Sequence, residues 1–173
     1  APWNTGLSAE IPMDSNGYPI QIPFMSSIGW QGVRASLSAN GHMSPGSYVL
    51  WYDGQGVVEI NGVNITQQQA GEIHFDVPIG AGNIWINISQ SILGNHVRNV
   101  RILRPGDELT LAENPFYSGF TDKLRPFSTI RFMEALATNL NEFQPTHWSE
   151  RSHPNYYTQG GYRGISYETI IDL

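Results

Sequence analysis

Glu72-Ile73-His74-Phe75-Asp76-Val77 and Ile84-Trp85-Ile86-Asn87-Ile88-Ser89 decide the fold. In both stretches a bulky apolar residue takes every second position, the period of a pleated strand and not of a helix. The first sets Ile73, Phe75 and Val77 against Glu72, His74 and Asp76. The second sets Ile84, Ile86 and Ile88 against Trp85, Asn87 and Ser89. Each predicts a strand with one buried and one wet face, as in an antiparallel sheet that packs on one side.

Upstream, Tyr48-Val49-Leu50-Trp51-Tyr52 concentrates strand formers and runs into Asp53-Gly54; Val57–Ile60 runs into Asn61-Gly62, and Val63–Thr66 follows. Asp-Gly and Asn-Gly suit the positive-φ positions of hairpin turns, so a three-stranded meander is expected. Val97–Leu103 reads as another strand, closed by Arg104-Pro105-Gly106-Asp107, with Glu108–Leu111 after it. Near the start, Pro2, Pro12, Pro19, Pro23 and Pro45 restrict regular structure to short pieces around Tyr18–Phe24 and Gly32–Leu37. About eight or nine short strands with closely spaced turns make the expected fold class mainly β, an antiparallel β-sandwich or jelly roll. Alternation stops between Asn114 and Arg125. The sandwich is therefore expected over residues 1–125, with a short α/β or irregular appendage over 126–173. In that appendage Thr129–Met133 reads as extended, and Glu134–Leu140 and Gly164–Leu173 as helical.

Composition narrows the function. The 173 residues suit one domain with an appendage better than two full domains. Charged residues are 14% of the chain, below the usual share of about 25%, while 18 Gly and 11 Pro supply chain reversals. Nine basic residues against fifteen acidic ones give a net charge of -6, which repels a phosphate backbone and makes nucleic acid an unexpected partner. No segment nears the roughly 18 apolar residues of a membrane-crossing helix, so no membrane partner is expected either. Without cysteine there is no disulfide, thiolate metal ligand or thiol nucleophile. The chain opens at Ala1 with no basic or apolar leader, as it would after signal-peptide removal, and a secreted, extracellular location is expected.

Carbohydrate is the leading ligand class, because flat aromatic faces cover the C–H surfaces of sugars while amides and carboxylates take their hydroxyls. The ordinary role of a tryptophan in a sandwich is core packing. Trp85 departs from it: if Ile84, Ile86 and Ile88 are core, the indole faces outward, toward a sugar or toward a neighbouring domain or chain. His74 holds the equivalent wet position on the other strand. Trp51 and Tyr52 are further candidates whose facing stays open, since Tyr48, Leu50 and Tyr52 compete with Val49 and Trp51 for the core.

Other motifs are weaker. Asp14-Ser15-Asn16-Gly17 offers Asp14 and Asn16 as oxygen ligands for a structural calcium ion, the one cofactor considered, against the simpler reading of an Asx-turn. Asn64-Ile65-Thr66 and Asn87-Ile88-Ser89 match the N-glycosylation acceptor pattern at Asn64 and Asn87. Glycoside hydrolysis needs two carboxylates flanking the bond, and the spacing of Glu134, Glu142, Glu150 and Glu168 fixes no such pair. A nucleophile elbow, a Walker loop, a paired-histidine zinc motif and a Rossmann glycine signature are all absent from the sequence.

Gly46-Ser47-Tyr48-Val49-Leu50-Trp51-Tyr52-Asp53-Gly54-Gln55-Gly56, Val97-Arg98-Asn99-Val100-Arg101-Ile102-Leu103-Arg104-Pro105-Gly106 and Pro126-Phe127-Ser128-Thr129-Ile130-Arg131-Phe132-Met133 resemble a family of large secreted glycoside-hydrolase-like proteins. So do Thr138-Asn139, Trp148, Arg151 and Gly164-Ile165-Ser166-Tyr167-Glu168. The resemblance implies an N-terminal cellulose-binding-like β-sandwich joined to the start of a (β/α)8 barrel. It makes Thr129–Met133 the first barrel strand and places Arg131, Asn139, Trp148 and Arg151 near the barrel mouth, with Arg131, Trp148 and Arg151 as ligand contacts. Glu134 stands where the family's strand carries Asp. A barrel of this kind takes on the order of 250 residues, so this stretch alone is not expected to be catalytic. The expected function is non-catalytic binding of a glucan-like polysaccharide within a larger glycoside-hydrolase-like protein. Its further partner would be the rest of a barrel or a second copy. The rival expectation is a self-assembling extracellular coat or filament protein with a jelly-roll core and Tyr156, Tyr157 and Tyr162 in an interchain arm.

Overall fold

The computed structural model describes residues 3–5, 10–111, 115–139, 145–159 and 163–173. Its chain divides into two compact units, Ala1–Gly106 and Asp107–Leu173. The expected boundary stretch, residues 114–125, falls within the second.

The first unit is a mainly β, antiparallel sandwich. A small hairpin, β1 (Phe24–Ser26) and β2 (Gly29–Gln31), precedes β3 (Val33–Ser38), β4 (Gly46–Asp53), β5 (Gly56–Asn61), β6 (Asn64–Gln69), β7 (Glu72–Val77), β8 (Ile84–Ser91) and β9 (Arg98–Leu103). One sheet runs β3-β8-β5 and the other β6-β7-β4-β9. β3 pairs with β8 and β4 with β7 as nested long-range hairpins, and β5 and β6 add to the two sheets separately. This is the winding of a jelly roll.

Alternation does what period two requires. Ile73, Phe75 and Val77 are buried, as are Ile84, Ile86 and Ile88, and Val33, Leu50, Val58 and Ile60 complete the apolar layer. Burial of these side chains, roughly 1.5–3 kcal/mol each, holds the sheets together.

The expected meander does not form: β4 and β5 lie in different sheets, and β7 separates β6 from β4. Gly54 (φ +89) and Gly62 (φ +87) do reverse the chain. A turn fixes reversal, however, and leaves pairing to whichever strand buries more apolar surface. The Ile- and Phe-bearing β7 and β8 win that competition.

The strand expected over Gly32–Leu37 forms as β3, Val33–Ser38. Two further expectations are corrected. Tyr18–Phe24 is not a strand, because Pro19 and Pro23 lack ladder donors; it forms the isolated bridges Met13↔Pro19 and Ile22↔Ser91, and Phe24 begins β1. Glu108–Leu111 is not extended: Asp107–Leu109 is a 3-10 turn, with the Thr110 N–H donating to the Asp107 carbonyl at 3.2 Å.

In the second unit, Thr129–Met133 has no ladder partner among the described residues and is irregular. Residues 134–139 form a compact turn instead of the expected helix, with Ala137 at φ +55, while Leu140 lies outside the described residues, as do Glu142 and Tyr162. The expected helix over Gly164–Leu173 is shorter, α2 (Tyr167–Ile171), because Ser166 caps it by accepting the Thr169 N–H. An unexpected helix, α1, covers Ser118–Leu124. Among the described residues no helix is long and apolar enough to cross a membrane.

Candidate functional site

Two cross-strand rows form the outer face of the three-stranded sheet. Ser36, Trp85 and Asn61 stand side by side in one; Arg34, Asn87 and Glu59 form the next. Their placement follows from the isoleucines. With Ile84 and Ile86 turned into the core, the pleat must turn Trp85 out between them, and Trp85 is half-buried there. The Arg34 guanidinium sits 5.8 Å from the Trp85 ring centroid, within cation–π range.

Beside this row lies a shallow depression of about 410 Å3 bordered by Asn4, Arg34, Glu59, Asn87 and Ser89. Asn4 reaches it by backbone pairing with Arg34, N···O 2.7 and 2.9 Å, which extends the sheet beyond β3. An indole face next to two amides, a carboxylate and a guanidinium can cover the C–H surface of a sugar and bond its hydroxyls.

The other expected ligand residues are elsewhere. Trp51 pairs across its sheet with Glu72 and Arg101, and His74 lies on the same face. There the Glu72 carboxylate accepts from Gln69 Nε2 at 2.6 Å, meets His74 Nε2 at 2.7 Å and takes the Trp51 indole N–H. These bonds, Gln69's first, hold the Glu72 carboxyl below its ordinary range. Arg101 and Asp53 form an ion pair at 3.6 Å nearby. Trp51 and His74 therefore share one face and Trp85 stands on the other sheet. Tyr52 is only 8% exposed and belongs to the core.

In the second unit, Trp148 is 70% exposed. Its ring packs against the Arg151 guanidinium, which also lies 4.3 Å from the Tyr167 ring centroid. Arg131 instead bonds the Met133 sulfur at 3.2 Å.

Asp14 makes an Asx-turn: Oδ1 accepts the backbone N–H groups of Asn16 (2.9 Å) and Tyr18 (2.8 Å), and Oδ2 meets His96 Nε2 at 2.9 Å. Among the described residues no three His, Asp or Glu side chains gather as metal ligands. Asn64 is exposed on the edge strand β6, and Asn87 is half-buried in the row next to Trp85.

One aromatic escaped the sequence reading. Trp30, opposite Met25 in the β1–β2 hairpin, is 64% exposed. Its setting, Gly29-Trp30-Gln31-Gly32, has no alternation to reveal its facing; flanking glycines were the sole signal. Comparison of the chain with known protein families, with curated proteins and with solved structures gives no match.

Proposed function

We propose that the outer face of the β3-β8-β5 sheet binds a neutral, glucan-like polysaccharide without cleaving it. The observation that carries this reading is Trp85, turned out of the core by Ile84 and Ile86 into a row with Ser36 and Asn61 and beside the row of Arg34, Asn87 and Glu59. A shallow face with a single central ring gives modest affinity, since a few stacking contacts barely offset the ordering cost of the chain they hold. The motif resemblance at Gly46–Gly56 and Val97–Gly106 supports placing this sandwich in a larger secreted polysaccharide-acting protein.

Isothermal titration of the full chain with soluble β-glucans tests the reading. Saturable heat is expected for the wild type and none for Trp85→Ala. Absence of heat in both proteins removes the claim.

A second reading, self-assembly, is favoured by one observation: Met25, Ile28 and Trp30 leave 60%, 52% and 64% of their surfaces exposed on a single hairpin. Light scattering separates the two, because a monomer mass independent of concentration counts against assembly.

A further inference from the structure

The second unit is built from turns that enclose a cavity. Gly164, at φ +70, lets its strand of chain run close beside Ala135–Ala137, where an added Cβ would come within 2.6 Å of the Ala135 carbonyl oxygen. The Ile165 N–H donates to that same carbonyl at 2.7 Å. Buried Ser152 donates from Oγ to the Gly164 carbonyl at 2.8 Å, which ties a third segment to the first two. These contacts leave a space of about 230 Å3, lined by Leu136, Thr138, Pro145, Arg151, Arg163 and Tyr167 among others. It lies below the roughly 300–1,000 Å3 of sites for drug-sized ligands, so it suits one small group.

Arg151 gives the space its chemistry. Trp148 and Tyr167 pack on the guanidinium, and rings stacked on a planar cation leave its in-plane N–H edge for hydrogen bonding. Yet Nε is buried and, among the described residues, has no hydrogen-bond partner. A permanently charged donor buried without an acceptor is costly, and a bound acceptor removes the cost. No acidic side chain lines the space among the described residues. The Glu150 carboxylate accepts the backbone N–H groups of Thr146 (2.8 Å) and His147 (3.1 Å), and its charge acts on Arg163. Arg163 also borders the wall, where Leu136 and Pro145 alternate with the polar Thr138 and Ser152.

We propose that this cavity binds a carboxylate group, presented by a small organic acid or by a uronate residue of an acidic polysaccharide. The planar fork of Arg151 matches a carboxylate through two parallel N–H···O bonds. This site is independent of the Trp85 face and takes a different ligand.

Titration of the 15N-labelled full chain with sodium acetate and sodium glucuronate, followed by NMR, tests it, with glucose and sodium sulfate as controls. The Arg151 Nε–Hε signal and the amides of Ser152 and Ile165 should move saturably with both carboxylates and stay fixed with glucose. Tighter binding of glucuronate assigns the site to uronates, and equal binding assigns it to free organic acids. Arg151→Lys keeps the charge but loses the fork and should weaken binding at least about tenfold. Slow hydrogen exchange of the Thr169 amide, whose N–H is held by Ser166 Oγ, shows that the variant retains the α2 cap; if it unfolds, the wild-type titration decides alone. Absence of a saturable shift with either carboxylate, sulfate binding as tightly as they do, or undiminished binding by a folded Arg151→Lys protein would each overturn the proposal.

Discussion

Arg34 reaches diagonally across the β3–β8 ladder to the ring of Trp85, its guanidinium carbon 5.8 Å from the ring centroid, while its own cross-strand partner is Asn87. The contact restrains an indole that the core does not hold. A ring already fixed in place loses less freedom when a ligand stacks on it, so the pair serves binding more than folding. A double-mutant cycle of Arg34→Ala and Trp85→Ala, read by urea unfolding, should give a coupling of about 0.5–1 kcal/mol. Arg34→Ala should also weaken glucan binding, by less than Trp85→Ala does. Additive unfolding energies would show that the two side chains do not interact.

Stability should instead concentrate in the layer between the sheets. Phe75 is 1% exposed and stacks on Tyr48 with ring centroids 5.7 Å apart and planes 15° from parallel. Phe75→Ala should cost about 3–5 kcal/mol, the transfer of a ring plus the cavity left behind. On the outer face, Glu59→Ala should change stability by no more than about 0.5 kcal/mol. Urea midpoints of the two variants check this contrast, and comparable losses would mean that the inner and outer faces have been misassigned.

Two glycines separate backbone strain from steric exclusion. Gly54 (φ +89) and Gly94 (φ +86) have nearly the same left-handed conformation. An added Cβ at Gly94 meets nothing within 4 Å, whereas at Gly54 it would collide with the His96 carbonyl oxygen. Gly94→Ala should cost about 1–2 kcal/mol for conformation alone. Gly54→Ala should cost distinctly more, because the 95–96 segment must move. Equal losses in thermal unfolding would remove the close approach as a cause.

These contrasts follow the boundary between what the sequence reveals and what only tertiary structure supplies. The facing of Trp85 was legible because its neighbours Ile84 and Ile86 are uniformly apolar, and a pleat allows one arrangement. The facing of Trp51 was not, because Val49, Leu50 and Tyr52 are all buried and β4 shows no contrast between its faces. Register resolves it, through pairing with Glu72 and Arg101. β6, whose Asn64–Gln69 residues are exposed throughout, owes its existence to β7 and not to its own pattern. Thr129–Met133 shows the converse, strand-forming residues with no ladder partner among the described residues. The resemblance to a barrel strand described composition, and composition does not provide a partner.

The four-stranded sheet should give the protein an acid-sensitive element at Glu72. Its carboxylate accepts from Gln69, His74 and Trp51, and these bonds favour the charged form, so the folded pKa lies below the ordinary value. As pH falls, the unfolded chain takes up the proton first. The stabilisation is therefore complete above the ordinary glutamate pKa and disappears as pH drops through the lowered folded value. Glu72→Gln removes the titration while leaving Asp53 and Asp76 on the same sheet, so their contributions cancel when the two proteins are compared. Near neutrality the variant should be less stable than the wild type. The difference should shrink through the acidic range and vanish once Glu72 is protonated in both states. Urea unfolding at a series of pH values checks this, and a difference that stays constant, or widens toward acid, would mean that the Gln69, His74 and Trp51 bonds do not favour the ionised carboxylate.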